Sequence, residues 1–400
     1  MKAKNRLAFL LAGAAFAAGA HAQTVKIGVE LTYNGIGAEF AQQVDRGMQL
    51  FAKLNPDAFG PCKIEIVKRD DKNPGGADAK IAAQELITQE KVDILTGVIY
   101  SSNTIAIEPL VTAAGKPLLI MNAGTAWITS LSPMIARVSF SMWHAAYALG
   151  DAAAKNLKAK TAVVGYTDFP AGKDSLVAFK QAFEAAGGKV IDEIPMGGPG
   201  QVPDFTPFFQ RAKDKKPDVF FVFVPAGDHA VAVVKTYAAL GMRQAGIKLI
   251  GPGDITQDIK LQGMGDEALG LITMHHYNAD LDNPANKRFV AAWKKEYGAA
   301  STPDFIGVQG YDGMAAIAHV VRTLSCKIDP DKAMAALKGW KYADSPRGPI
   351  VIDPLTRDIV MNEYLSELVK KDGRLYQKNL AVIPAVKDMC KELKVGRCGK

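Results

Sequence analysis

The feature that most constrains this chain is a repeated alternation of short apolar runs with longer stretches whose apolar residues fall at helical spacing. Apolar runs at 25–30, 63–68, 92–98 and 117–121 are separated by helical patterns at 39–53, 77–88 and 104–114. Asn73-Pro74-Gly75-Gly76 marks a turn before the second helix, and Gly115 stands near the end of the third. The pattern predicts a parallel sheet with helices on both faces. A second run follows, with strands at 161–165, 190–196, 219–224 and 248–250 and helices at 174–186, 205–213 and 227–240. It carries enough apolar strands for a sheet and core of its own, so two α/β lobes are expected. A helix over 141–156 opens this second run, which puts the first crossing between lobes near 138–141. The late part is less regular: a strand at 270–275 able to cross back, helices at 287–297, 310–324 and 331–337, and strands at 348–352 and 363–370 joined by a polar turn. At 400 residues, 48% hydrophobic and 22% charged, the chain is neither a disordered tail nor a mini-protein needing staples.

The N-terminus predicts export. Residues 1–6 are basic, 7–19 are almost wholly apolar or small, and Ala20-His21-Ala22 fits a signal-peptidase site, so residues 1–22 read as a signal peptide cut before Gln23. The apolar core is shorter than the roughly 20 residues a membrane span needs, and no later stretch is long enough either. A soluble mature chain is therefore expected. No cysteine stands at the cleavage point, so a lipid anchor is not indicated. The formal charge of +7 includes Lys2, Lys4 and Arg6; the mature chain keeps +4, scattered, which gives nucleic-acid binding little support. The cysteines are Cys62, Cys326, Cys390 and Cys398. An even count in an exported chain suggests two disulfides, and three pairings are open. Zinc-type spacing is absent.

Little here suggests catalysis. The chain has no phosphate-binding loop, no H-E-x-x-H, no G-x-S-x-G and no dinucleotide fingerprint, so neither an enzyme nor a cofactor or metal site is expected. His275 and His276 are adjacent and would point differently in a strand, which favours a structural or surface role. What stands out is the strand ends, where open parallel sheets bind ligands. Three are small and polar: Tyr100-Ser101-Ser102-Asn103-Thr104, Asn122-Ala123-Gly124-Thr125 and Tyr166-Thr167-Asp168-Phe169. Ser101 to Asn103 precede a helix whose free N–H groups favour an anion, and nearby hydroxyls add donors. Plain N-capping by Ser102 or Asn103 explains one such residue but not two similar neighbouring ends. Tyr33, Tyr100, Trp127, Phe140, Trp143, Tyr166 and Phe169 gather at the same rims and can wall an apolar ligand, with core packing an equal reading for Phe140 and Trp143.

With these residues in view, the chain resembles the periplasmic solute-binding proteins of branched-chain amino-acid type ABC transporters. The likeness covers residues 24–386. It rests on Val25-Lys26-Ile27-Gly28-Val29, the helix–strand unit at 75–97, the Ser101 and Asn122 turns, Asp282-Asn283-Pro284-Ala285-Asn286, and Tyr311-Asp312-Gly313. The resemblance implies an α/β type I periplasmic-binding-protein fold, two doubly wound parallel-sheet lobes joined by three crossover strands. The N-terminal lobe would comprise 23–140 and 274–349, and the C-terminal lobe 141–273 and 350–400. It also implies a non-enzymatic, monomeric periplasmic receptor that closes on one small ligand and hands it to an inner-membrane permease. By residue match, Ser101, the backbone of Ala123 and Thr125 would hold a carboxylate. Tyr100, Ser102, Trp127, Tyr166 and Phe169 would surround it, with Tyr277 and Tyr311 as weaker hinge-side candidates. The family's second-lobe tyrosine falls on Gly227, and its ammonium-pairing glutamate falls on Gly253, beside Asp254. An ammonium enclosed without an anion is costly. That departure favours an aromatic acid, benzoate- or cinnamate-like, over a branched-chain or other hydrophobic amino acid; a sensory binding protein is a further alternative. The same topology would place Cys62 and the end of the 310–324 helix at the distal end of one lobe, which suggests Cys62–Cys326 and Cys390–Cys398.

Overall fold

The computed structural model of the chain describes residues 23–399; the signal-peptide reading falls on 1–22, outside the described residues. In the first lobe, β1 (Thr24–Leu31), β2 (Lys63–Asp70), β3 (Ile94–Gly97), β4 (Leu118–Ile120) and β5 (Ile135–Arg137) form a wholly parallel sheet in the order β2-β1-β3-β4-β5. The first connections are α1 (Ala38–Leu54), α2 (Ala77–Thr88) and α3 (Ser101–Ala114). β1 packs Val25, Ile27, Val29 and Leu31 into the main core on one side of its sheet. Val92, Leu95, Leu118 and Ile120 fill a separate core shared with α2 and α3.

The chain then crosses and opens the second lobe with α4 (Met142–Lys155). There β6 (Thr161–Tyr166), β7 (Lys189–Pro195), β8 (Val219–Phe223), β9 (Lys248–Pro252) and β10 (Ile272–His275) run parallel in the order β7-β6-β8-β9-β10. They alternate with α5 (Pro170–Ala185), α6 (Thr206–Asp214), α7 (Asp228–Ala239) and the short α8 (Asp258–Leu261). The all-apolar sequence of β8 is explained by burial on both faces: Val219, Phe221 and Phe223 join one core, and Phe220 and Val222 the other.

After β10 the chain returns to the first lobe as α9 (Pro284–Tyr297), α10 (Phe305–Thr323) and α11 (Pro330–Leu337). α10 lies directly on α1. A side chain on Gly47 would meet the Gly307 carbonyl and one on Gly310 the Val44 carbonyl, so only glycine permits this helix spacing. The chain finally re-enters the second sheet as β11 (Lys341–Tyr342), β12 (Ile350–Ile352), β13 (Ile359–Lys371) and β14 (Arg374–Val386), followed by α12 (Met389–Glu392). β13 pairs antiparallel with β10 and forms a long hairpin with β14. Sequence reading located neither β5 nor β14. β5 has only three residues, and β14 is an edge strand with many exposed positions, so neither carries a strong apolar pattern. Where the chain first crosses between lobes, buried Arg347 donates to the carbonyls of Val138 and Ser139 and pairs with Asp312 on α10 at 2.7 Å. Disulfides join Cys62 to Cys326 and Cys390 to Cys398.

Candidate functional site

A cleft opens between the lobes at the carboxyl ends of their strands. The first lobe contributes Phe40, Ile99, Tyr100, Ser101, Asn122 and Gly124. The second contributes Phe169, Ala171, Phe223, Pro225, Ala226 and Asp254. Phe140, Met142, Phe305 and Ile306 close the hinge side. The space between these atoms, counting the part open to solvent, is about 440 Å³. Among the described residues no lysine or arginine lines it.

The donor end is built by two strand ends. Val98, just past β3, takes a left-handed backbone (φ 60°), costly for a β-branched residue, and turns the chain toward Tyr100 and Ser101. No side chain caps α3. Ser102 instead donates to the Pro74 carbonyl at 2.6 Å, and Asn103 donates to Asp71 at 2.8 Å and to the Asn73 carbonyl at 3.0 Å. The two residues that offered an ordinary capping explanation are thus engaged elsewhere, and the first turn of α3 keeps its capacity for an anion. Ser101 Oγ accepts the Thr125 N–H at 3.0 Å, which leaves its own hydrogen to be donated onward.

Buried Arg137 sets the shape of the second strand end. It donates to the carbonyls of Ala123 (3.1 Å), Thr125 (2.7 Å) and Ala126 (3.3 Å), and bonds Asp358 at 2.6 Å. Burial pushes the Asp358 carboxyl up, but Arg137 and Lys391 outweigh it and hold its pKa down at about 2. Asp388 also approaches Arg137, at 3.4 Å. The loop that faces the cleft is therefore fixed from behind by an ionic network.

The structure gathers Tyr100, Ser101, Phe169 and Asp254 on the cleft wall. Phe169 stacks on Phe223 with ring centres 6.0 Å apart. Ala123 differs from expectation: its N–H donates to the Val98 carbonyl at 3.1 Å and its carbonyl accepts from Arg137, so both backbone groups are occupied. Its neighbours Asn122 and Gly124 face the cleft instead. Thr125 is fully buried beside Ser101, with its hydroxyl unpartnered among the described residues. Trp127 lies outside the cleft, covered by the Arg397 guanidinium at 4.5 Å, because the short helical turn after Thr125 directs it toward the C-terminal tail. Ser102 is held by Pro74, and Tyr166 ends β6 without lining the cavity. Gly227 sits at the cleft mouth in a left-handed conformation (φ 95°), facing Phe40 from the opposite lobe. Tyr33 bonds Asp45, Trp143 stacks on Tyr147, Tyr277 bonds Asn286, and Tyr311 packs on Phe51 and Phe289; none of them lines the cleft. His275 and His276 are buried at the hinge side rather than on the surface, with ring centres 4.3 Å apart because β10 ends at His275.

Phe40, Met142, Phe223, Phe305 and Ile306 escaped sequence reading. Phe223 and Phe40 obey the strand-end rule, since one ends an apolar strand and the other begins the helix after one. Phe305 and Ile306 come from the far end of the sequence, and only tertiary packing brings them in. Direct contacts also span the lobes: the Ala126 N–H donates to Asp174 at 2.7 Å, and Lys260 pairs with Glu39 at 3.0 Å. Among the described residues no group of three or more His, Cys, Asp or Glu side chains is placed to hold a metal, and no helix is long and apolar enough to cross a membrane.

Residues 24–374 match the family described as periplasmic binding protein. The chain is 35% identical over 366 residues to the Leu/Ile/Val-binding protein homolog 6 of Brucella melitensis, covering 91% of this chain and 93% of that one. A solute-binding protein of an ABC transporter from Rhodopseudomonas palustris BisB5, in complex with 3,4-dihydroxybenzoic acid, is 42% identical with a TM-score of 0.85, over 91% of this chain and 98% of that one. A counterpart from Rhodopseudomonas palustris HaA2, in complex with p-hydroxybenzoic acid, is 37% identical with a TM-score of 0.87, over 92% and 98%. Members of this family bind and deliver solutes and are not enzymes. With two parallel-sheet lobes, three passages between them and a cleft at their strand ends, the chain belongs to the periplasmic-binding-protein family, as a type I solute-binding component of an ABC importer.

Proposed function

We propose that this receptor captures a small aromatic carboxylate, benzoate- or cinnamate-like, and presents it as a monomer to an inner-membrane permease. The observation that carries the reading is an uncapped helix N-terminus, with Ser101 at its first position, opening into a cleft walled by Tyr100, Phe140, Phe169 and Phe223. N–H groups and a hydroxyl suit a carboxylate, and stacked rings suit a flat hydrocarbon. Two relatives whose complexes contain hydroxylated benzoic acids support the same class.

In this reading the acid docks first on the lobe formed by 23–140 and 274–349, through Ser101 with Thr125 behind it. The lobe formed by 141–273 and 350–400 then closes, bringing Phe169, Gly227 and Asp254 over the ligand. Closure is a population shift favoured because the ligand touches both lobes. A hydrophobic amino acid is the second reading. It is favoured by the unpartnered carboxylate oxygen of Asp254, which can receive an ammonium, and by the name of the Brucella relative. A thermal-shift screen of the mature chain against benzoate, cinnamate, 4-hydroxybenzoate, leucine, isoleucine and phenylalanine separates the two. A ligand at 100 times its Kd stabilises by about 2.7 kcal/mol, which such a screen detects. Aromatic acids should raise Tm; stabilisation by the amino acids alone would reject the proposal.

A further inference from the structure

Asp254 and His275 form a polar pair that the carboxylate-binding end does not use. Asp254 lies on the helical turn after β9, is 6% exposed, lines the cleft, and has Oδ2 without a hydrogen-bond partner among the described residues. His275 ends β10, is 5% exposed, and has both ring nitrogens without a hydrogen-bond partner among the described residues. Its Nε2 stands 3.7 Å from Asp254 Oδ2, beyond hydrogen-bond reach. The arrangement is sterically tight, since a side chain on Gly253 would come within 2.5 Å of His275 Cβ. The His275 ring is enclosed by Phe305 at 4.5 Å and Phe140 at 5.7 Å. A carboxylate and an imidazole buried with unmet hydrogen-bonding capacity are costly unless a bound group satisfies them.

We infer that Asp254 and His275 form a subsite for a ring hydroxyl, so that the preferred ligands are hydroxylated aromatic acids rather than unsubstituted ones. This rests on the aromatic-acid reading above. A phenolic hydroxyl donates to Asp254 Oδ2 and accepts from an imidazole N–H, so one oxygen serves both residues. A bare or fluorinated ring would desolvate the carboxylate and return nothing. The two anchors come from opposite lobes, Ser101 from the first and Asp254 from the second. A ligand that engages both therefore rewards closure as well as docking.

The test is calorimetric titration of the mature chain with benzoate, 4-fluorobenzoate, 3-hydroxybenzoate, 4-hydroxybenzoate and leucine, repeated on Asp254→Asn. The better hydroxybenzoate should bind at least about tenfold tighter than benzoate and 4-fluorobenzoate, as expected for a hydrogen bond to a charged group. In Asp254→Asn that preference should fall by half or more. A smaller preference in the native protein, or one that survives the substitution, overturns the subsite while leaving the aromatic-acid reading intact. The ligand series in the native protein decides the matter even if the variant misfolds. Binding of leucine with no response to any aromatic acid overturns both readings.

Discussion

Replacing Ser101 by alanine tests the centre of the proposed site. Ser101 Oγ already accepts from the Thr125 N–H at 3.0 Å, so its single hydrogen is the one available to a ligand carboxylate. A hydrogen bond to a charged acceptor contributes about 1.5–3 kcal/mol, so Ser101→Ala should raise the Kd for 4-hydroxybenzoate by roughly 10- to 100-fold. The substitution has a second effect. It strips the acceptor from a fully buried N–H, which costs the fold about 1–3 kcal/mol and should lower Tm by several degrees. Titration calorimetry reads the first effect and differential scanning the second. The two are separable: a lowered Tm with affinity within about threefold of the native value would mean that Ser101 only supports the Thr125 turn, and the carboxylate assignment would be wrong.

Thr125→Val should show the opposite balance. The hydroxyl it removes is buried and unpartnered, so Tm should hold or rise, while carboxylate affinity should fall about five- to tenfold; unchanged affinity would remove Thr125 from the site. Asp174 gives a pH test. Burial raises its pKa from 3.8 to about 7, although it accepts the Ala126 N–H across the cleft. Between about pH 4 and 7 the folded chain therefore holds a proton that the unfolded chain has lost, and stability declines as pH rises through that window. Full conversion of that interval gives about 4 kcal/mol, which partial exposure of the side chain reduces to about 1–2 kcal/mol. Asp174→Asn should thus match the native Tm near pH 4 and exceed it at pH 8; identical profiles would refute the assignment. Removing the Cys62–Cys326 bond with a double serine substitution should cost about 3–5 kcal/mol, because it releases a loop of sequence separation 264. The Cys390–Cys398 bond spans a separation of only 8, and its loss should lower Tm less; equal losses would point away from loop entropy.

The two-lobe plan was legible because strands such as β8 are buried on both faces and write that burial as an unbroken apolar run. β14 was not, because an edge strand with half its side chains in solvent carries no such mark. At the site, the strand-end rule pointed to Ser101 and Phe169 and the family resemblance to the neighbourhood of Asp254, and all three stand on the cleft wall; Trp127 does not, because its direction depends on Arg397. Ala123 was misread for a related reason. Motif matching names a residue, but which backbone groups of Asn122-Ala123-Gly124-Thr125 stay free is decided by Val98, whose carbonyl takes the Ala123 N–H, and by Arg137, which occupies the Ala123 carbonyl. His275 was set aside because neighbouring strand residues alternate, whereas the strand ends at that residue and the alternation lapses.

The network behind Arg137 extends into residues 388–397. Asp388 approaches Arg137, Lys391 bonds Asp358 and Thr129, and Arg397 covers Trp127. The rigidity of the 123–126 loop is thus borrowed from the short segment 388–398, clipped by its own disulfide. A protease nick in that segment would loosen the support of Arg137 without altering any residue of the cleft wall, so an intact segment is a condition for the affinity measurements proposed above.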